Sequence, residues 1–442
     1  MVSSKILSTI FLIIGIVIGF GIGYGVSYMS VPSPAAPGGP TITLPIPTTV
    51  PITYTVPATA IPPVKEYVIG MIADLTGEGA DYGIEVRDAG ILAVDEINSF
   101  MSKNGIPVRL RLEIEDSRTT VEGAVAAAQS LGGKGIKIIV GHLWSGQLNG
   151  IKSYVDSNRI FTVSVASTSP ALSIPNDYIF RMQAPDSIQG RVLARLIWES
   201  GYKKVAVIYR NDPYGSGVFQ YFSKEFTNLG GVIKSLAYTP DQPDYSSEVL
   251  QLSTMVKDLG ADNKTAVLII AFNYEAIKMF GKARLDPILS NVRWFSSESL
   301  KGPGLLPPAG PPEIADFLVK VKLTGTYPAS LTETPLMKEF VNKFKARYGR
   351  EPKAYGAYTY DALWLVALSL ALTGKYDGDT IRDMFMFLAD RYVGATGPTT
   401  LDANGDRALQ DYQIWQVVKT DDGYDFKIIG GWESSTNRFV FG

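Results

Sequence analysis

The chain of 442 residues contains no cysteine and a single histidine, His142. Without cysteine there is no disulfide framework, no thiolate metal site and no cysteine-linked lipid behind a signal segment. One imidazole is too few for a histidine-based metal centre or triad. Neither sign of charge is in excess, since 41 Lys and Arg against 43 Asp and Glu leave a formal net charge of −2. No basic field exists to hold a polyanion, which excludes nucleic acid as a partner. No G-x-G-x-x-G follows a predicted strand, no phosphate loop is present, and no nucleophile sits beside a base. The expectation is a binding protein without a cofactor or metal, and not an enzyme.

Charge is also missing locally. No charged residue occurs between Lys5 and Lys65. Residues Ile6 to Tyr28 are apolar or small, and as a helix they would be about 34 Å long, enough to cross a bilayer core. Lys5 ahead of this run places the N-terminus in the cytoplasm and everything after it outside. The run is longer than the apolar part of a cleaved signal, and Ser27–Tyr28–Met29–Ser30 is a poor cleavage site, so residues 1–29 are expected to be an uncleaved anchor. Gly15, Gly19 and Gly23, continued by Ser27, form a small-residue row against which another helix could pack. Residues 30–64 form a linker, with ten prolines between Ser30 and Pro63. Proline disfavours helix and central strand, and polyproline II would give a stalk reaching about 100 Å. Its Thr/Pro composition resembles O-glycosylated stalks. An anchor, a stalk and no cysteine for lipid suggest an archaeal-type cell surface.

From about Glu66 the pattern alternates strands and helices. Tyr67–Ile72, Val108–Ile114, Ile136–Val140 and Ile160–Val165 read as strands, with helices over Ile84–Asn98 and Val121–Leu131 between them. A second series follows, with strands at Val205–Tyr209, Val232–Ala237, Ala266–Ala271 and Val292–Phe295. Successive βαβ units imply parallel sheets covered by helices, hence two doubly wound Rossmann-like lobes. The expected N-terminal lobe takes residues 65–186 and about 321–399. The C-terminal lobe takes 187–320 and about 400–442, ending in a hairpin-like pair of strands.

Ligands of open α/β sheets bind at loops beyond the carboxyl ends of strands. Two such loops carry Gly141–His142–Leu143–Trp144–Ser145–Gly146 and Ala166–Ser167–Thr168–Ser169–Pro170. Hydroxyls and small residues at helix starts can hold a carboxylate, although Ser and Thr are also ordinary helix caps. The second series supplies Asp212–Pro213–Tyr214–Gly215, Phe272–Asn273 and Glu298. A carboxylate after a strand could bind an ammonium, or be a solvated loop charge.

These segments together resemble the branched-chain amino-acid-binding proteins of ABC importers, of the type I periplasmic-binding fold. The resemblance runs from about Lys65 to the C-terminus. It includes Asp81–Tyr82–Gly83, Ile139–Val140–Gly141–His142, Ser167–Thr168–Ser169–Pro170–Ala171–Leu172, Phe180–Arg181, Asp186–Ser187–Ile188–Gln189–Gly190, Asp212–Pro213–Tyr214–Gly215 and Asp402–Ala403–Asn404–Gly405–Asp406. It implies that Ser145, Ala166 and Thr168, with Ser167 in the same loop, hold a ligand α-carboxylate. It further implies that Glu298 pairs with the α-ammonium, that Asp186 near the lobe crossing assists, and that Tyr82, Tyr214 and Phe272 line or close the cleft. Trp144 is larger than the residue expected beside the carboxylate loop, and Phe272 stands where a tyrosine is expected. Both imply a reshaped side-chain pocket, and an aromatic pair near Glu298 could favour a cation. The function implied is capture of an amino acid, branched-chain or other apolar or aromatic, for permease subunits in the membrane. A ligand-sensing ectodomain, or a binder of urea, short amides or aromatic acids, is the alternative.

Overall fold

The structure, a computed structural model, describes residues 63–302, 304–329, 334–352 and 355–441. The expected anchor over residues 6–28, its glycine row and all but the end of the Pro/Thr linker lie outside the described residues. Among the described residues no helix is long and apolar enough to cross a membrane.

The chain starts with β1 (Lys65–Ala73), α1 (Ala80–Lys103), β2 (Val108–Asp116), α2 (Val121–Gly133), β3 (Ile138–Gly141), α3 (Ser145–Ser157), β4 (Phe161–Ser164) and β5 (Ile179–Arg181). The strands form one parallel sheet in the order β2-β1-β3-β4-β5. Its central strands are short apolar runs such as Ile138–Ile139–Val140, buried throughout. Helices therefore cover both faces, as a parallel sheet requires.

The second series comprises α4 (Asp186–Glu199), β6 (Lys204–Arg210), α5 (Pro213–Asn228), β7 (Val232–Tyr238), α6 (Ser246–Asp258), β8 (Thr265–Ile270), α7 (Asn273–Ala283), β9 (Arg293–Ser296), α8 (Pro312–Lys320) and β10 (Thr324–Pro328). The chain then returns to the first lobe with α9 (Pro335–Tyr348), α10 (Gly356–Thr373), α11 (Gly378–Ala389), β11 (Val393–Gly394) and β12 (Gly397–Pro398). It ends with β13 (Tyr412–Thr420), β14 (Gly423–Glu433) and β15 (Arg438–Val440) on the second sheet, whose order is β15-β14-β13-β10-β9-β8-β6-β7.

The crossings differ from the expected positions near 321 and 400. β10 pairs in parallel with β9 and antiparallel with β13, so the second lobe runs through Pro328. Asp406 is fixed to Arg181 of the first lobe by a buried bidentate ion pair of 2.5 and 2.6 Å, so the final crossing falls after it. Pairing of strands distant in sequence sets these boundaries, and helix periodicity carries no trace of them.

Each lobe has its own apolar core. In the first, Ile69, Met71, Ile138, Val140 and Phe161 of the sheet pack on Leu363, Val366 and Leu370 of α10. In the second, Ala206, Ile208, Val267 and Ile269 pack on Val249, Leu252, Met279 and Phe280. Both sheets reverse strand order beside their second strand in space, between β1 and β3 and between β6 and β8. At those points adjacent loops leave in opposite directions and open a crevice. Asp74, His142 and Trp144 stand at the first reversal, Asp212 and Phe272 at the second.

Candidate ligand-binding site

Short hydrogen-bonded turns build the first wall of the cleft. Ser145 begins α3, and its hydroxyl accepts from the backbone N–H groups of Thr168 and Ser169 at 3.3 and 3.2 Å. The same hydroxyl lies 3.0 Å from Ser167 Oγ. Ala166 and Ser167 are held by Ser164 Oγ, which accepts from both backbone nitrogens. Thr168 Oγ1 donates to Asp186 Oδ2 at 2.8 Å, and the Asp186 N–H donates to the Thr168 carbonyl. The donors expected to meet a carboxylate are thus engaged with one another, and Thr168 is tied to Asp186.

Two acidic side chains meet beyond this loop. Asp186 starts α4 at the lobe crossing, and Glu298 opens a 3-10 turn after β9 in the second lobe. They are 1% and 8% exposed. Asp186 Oδ1 and Glu298 Oε2 each lack a hydrogen-bond donor among the described residues. Burial pushes the Asp186 carboxyl well above the usual carboxylate range, and the Glu298 charge adds to it. Burial likewise raises Glu298, opposed by Gln189 and Tyr214. Two desolvated acids with interacting charges, each with an oxygen to spare, have the chemistry to accept a cation with several N–H donors.

Aromatic rings surround the acids. Tyr214 Oη lies 2.8 Å from Ser297 Oγ and donates to Ser299 Oγ at 3.1 Å. Its ring stacks on Phe272 with centroids 5.5 Å apart. Arg210 lies 4.0 Å over the opposite partner of that stack, Phe272, and is itself held by Glu275 and Asp212 at 2.7 Å each. Trp144 reaches from the first lobe to Phe272, centroids 4.5 Å apart, so the two residues that depart from the expected pattern touch each other. Tyr82 accepts from Asn273 Nδ2 at 3.1 Å and contacts the Ser299 carbonyl, also across the cleft.

A family model described as periplasmic binding protein matches residues 66–423. The chain belongs to the periplasmic binding protein family. The uncharacterized protein MJ1266 of Methanocaldococcus jannaschii is 30% identical over 395 residues, 85% of this chain and 92% of its own. A Leu/Ile/Val-binding protein homolog of Brucella suis is 24% identical over 367 residues, 81% of this chain and 92% of its own. The crystal structure of the leucine-binding protein LivK from Thermotoga maritima superposes with a TM-score of 0.69 at 21% identity, covering 85% of this chain and 99% of that one. At that identity the likeness speaks for the shared two-lobed fold.

Within this binding protein all ten residues named from the sequence gather at the facing loops of the two lobes. Ser145, Ala166, Ser167, Thr168 and Trp144 stand on one side; Tyr214, Phe272 and Glu298 stand on the other, with Tyr82 and Asp186 between them. Two sets of residues escaped the sequence reading. The first surrounds Asp74 after β1, which accepts from Trp144 Nε1 at 2.6 Å, from Gln147 Nε2 at 2.8 Å and from Ser117, with His142 Nδ1 3.3 Å away. Burial disfavours its charge, but these donors hold its carboxyl below the ordinary value. This network fixes the indole of Trp144. The second set is Gln183, Lys301, Tyr327 and Tyr355, which enclose a narrow cavity with Tyr82, Glu298, Ser299 and Pro328. Tyr355 is placed by Glu85, whose carboxylate accepts the Tyr355 and Gly356 N–H groups. Asp74 directly follows β1, a carboxyl-end loop, and was legible on that ground. Tyr327, Gln183 and Tyr355 come from distant segments without a motif.

Proposed function

We propose that this periplasmic binding protein is the extracytoplasmic solute-binding component of an ABC importer and captures an amino acid between its lobes. The observation that carries the reading is the buried pair of Asp186 and Glu298, each with a carboxylate oxygen free of a donor. An ammonium between them would neutralise the mutual repulsion and supply the missing donors. The ligand's α-carboxylate would take over the backbone N–H groups of Thr168 and Ser169 that Ser145 now occupies. The named relatives that bind leucine, isoleucine and valine support the amino-acid class. Trp144, Phe272 and Tyr214 would close over the ligand, and closure is favoured only by what the ligand adds between the lobes.

The reading extends to the N-terminal segment, residues 6–28, as a membrane tether that leaves the domain outside the cell. Extraction of the full chain from membranes by detergent but not by carbonate would support it, and recovery in the soluble fraction would end it. For the site, Glu298→Gln keeps the shape and removes the charge. It should weaken calorimetric affinity for the amino acid that co-purifies, identified by mass spectrometry after denaturation, by about tenfold or more. Unchanged affinity would remove Glu298 as the ammonium partner.

A further inference from the structure

Lys301 is the basic side chain that lines the cavity beside Glu298. It follows the 3-10 turn Glu298–Leu300, so the acid and the amine leave the same short element. No carboxylate among the described residues forms an ion pair or hydrogen bond with it. Its ammonium lies over the ring of Tyr327, 4.1 Å from Nζ to the centroid. Gln183 lines the same cavity, and both of its side-chain polar atoms are buried without a partner. Lys301 and Gln183 bring polar groups to the pocket that a leucine or isoleucine side chain cannot use. The two would lose water on closure without compensation from such a ligand.

We propose that Lys301 is the anion-recognising residue of the cleft and that the preferred ligand is an amino acid whose side chain ends in a carboxylate or another anionic group. This deepens the reading of the cleft as an amino-acid site and rests on it. In that arrangement the ammonium meets Asp186 and Glu298, and the distal acid lies against the Lys301 ammonium with Gln183 donating beside it. Burial lowers the Lys301 ammonium to about 8, only partly offset by Asp425, so the cation is under-stabilised where it stands. An anionic partner would restore it. The Tyr327 ring lies against one side of the Lys301 ammonium and leaves the N–H groups on its other side for the ligand.

The test uses the full chain, stripped of co-purified ligand by denaturant and refolded, with calorimetric titration of L-glutamate, L-2-aminoadipate, L-glutamine and L-leucine. Glutamine has the shape of glutamate without its charge, so the ratio of the two affinities isolates the distal charge. The wild-type chain should prefer one of the two acids to glutamine by about tenfold or more. Lys301→Met should bring that ratio close to one, and Lys301→Arg should keep most of it. An unchanged thermal midpoint for Lys301→Met separates lost recognition from lost folding. A wild type that prefers leucine, or a ratio that Lys301→Met leaves intact, overturns the role of Lys301 alone. A wild type that binds none of the four overturns the role of Lys301, and the amino-acid reading falls with it only if mass spectrometry also finds no amino acid released by the denaturant.

Discussion

Asp186 and Glu298 reach the cleft from different elements and are forced to share a desolvated space. Their carboxyl values are both raised above the ordinary 3.8 and 4.5, chiefly by burial. A raised value means that the folded protein holds the proton more tightly than the unfolded chain. The stabilisation is present at acid pH and lost as pH rises through the raised value. A bound ammonium reverses the preference and favours both charges. Amino-acid binding should therefore release protons at mildly acid pH, and affinity should climb with pH from the ordinary carboxylate range through the raised values. Calorimetry in buffers of different ionisation enthalpy reads the protons directly. No release, with affinity flat across that window, would show that these acids do not meet a cation. At the same scale, Trp144 is less a pocket filler than a side chain held at its indole nitrogen by Asp74.

The elements that present these side chains are short, and polar ties hold their ends. β5 has only three residues, Ile179–Arg181. Its last residue joins the loop before it to a segment more than 200 residues later: Arg181 Nη1 donates to the Ser169 carbonyl at 2.6 Å while Nε and Nη2 grip Asp406. Both partners are fully buried. Asp406→Ala would leave the guanidinium buried and uncompensated, which costs about 3–5 kcal/mol. The expected result is a large fall in the thermal midpoint, together with weaker ligand binding because Ser169 loses its anchor. A midpoint unchanged within error would show that Arg181 finds another partner. A strand at Ile179–Arg181 is not legible in the sequence, since three residues are too few for periodicity to register.

Across the whole molecule, the cleft depends on how closely the lobes approach. Gly217 on α5 of the second lobe faces Pro170 of the first, and a Cβ there would stand 2.7 Å from Pro170 Cδ. It would also approach Asp186 Oδ2, at 3.6 Å. Inside a helix, alanine is favoured over glycine by about 1 kcal/mol, so Gly217→Ala should not weaken the second lobe itself. It should hold the lobes slightly apart and lower ligand affinity by about tenfold, since in the proposed reading closure brings the second-lobe residues to the ligand. Small-angle scattering with and without saturating ligand should show less compaction than in the wild type. Full compaction with wild-type affinity would mean that the Pro170 loop yields.

Alternating apolar runs and helical stretches determined the two-lobed α/β architecture, because parallel strands buried on both faces must be continuous and apolar. That Trp144, Ser145, Thr168, Tyr214, Phe272 and Glu298 follow strand carboxyl ends was legible, because local sequence fixes where a strand stops and a helix starts. The positions of the lobe crossings were not legible, since β10 and Asp406 are assigned by pairing with β13 and Arg181, far away along the chain. Nor were the partners of the named residues. That Trp144 meets Phe272, that Asp186 and Glu298 share one desolvated space, and that Lys301 lines the cavity beside Glu298 without an ion pair among the described residues are decided by tertiary structure. Charge and burial act through distance in space, and sequence spacing between separate lobes does not encode that distance.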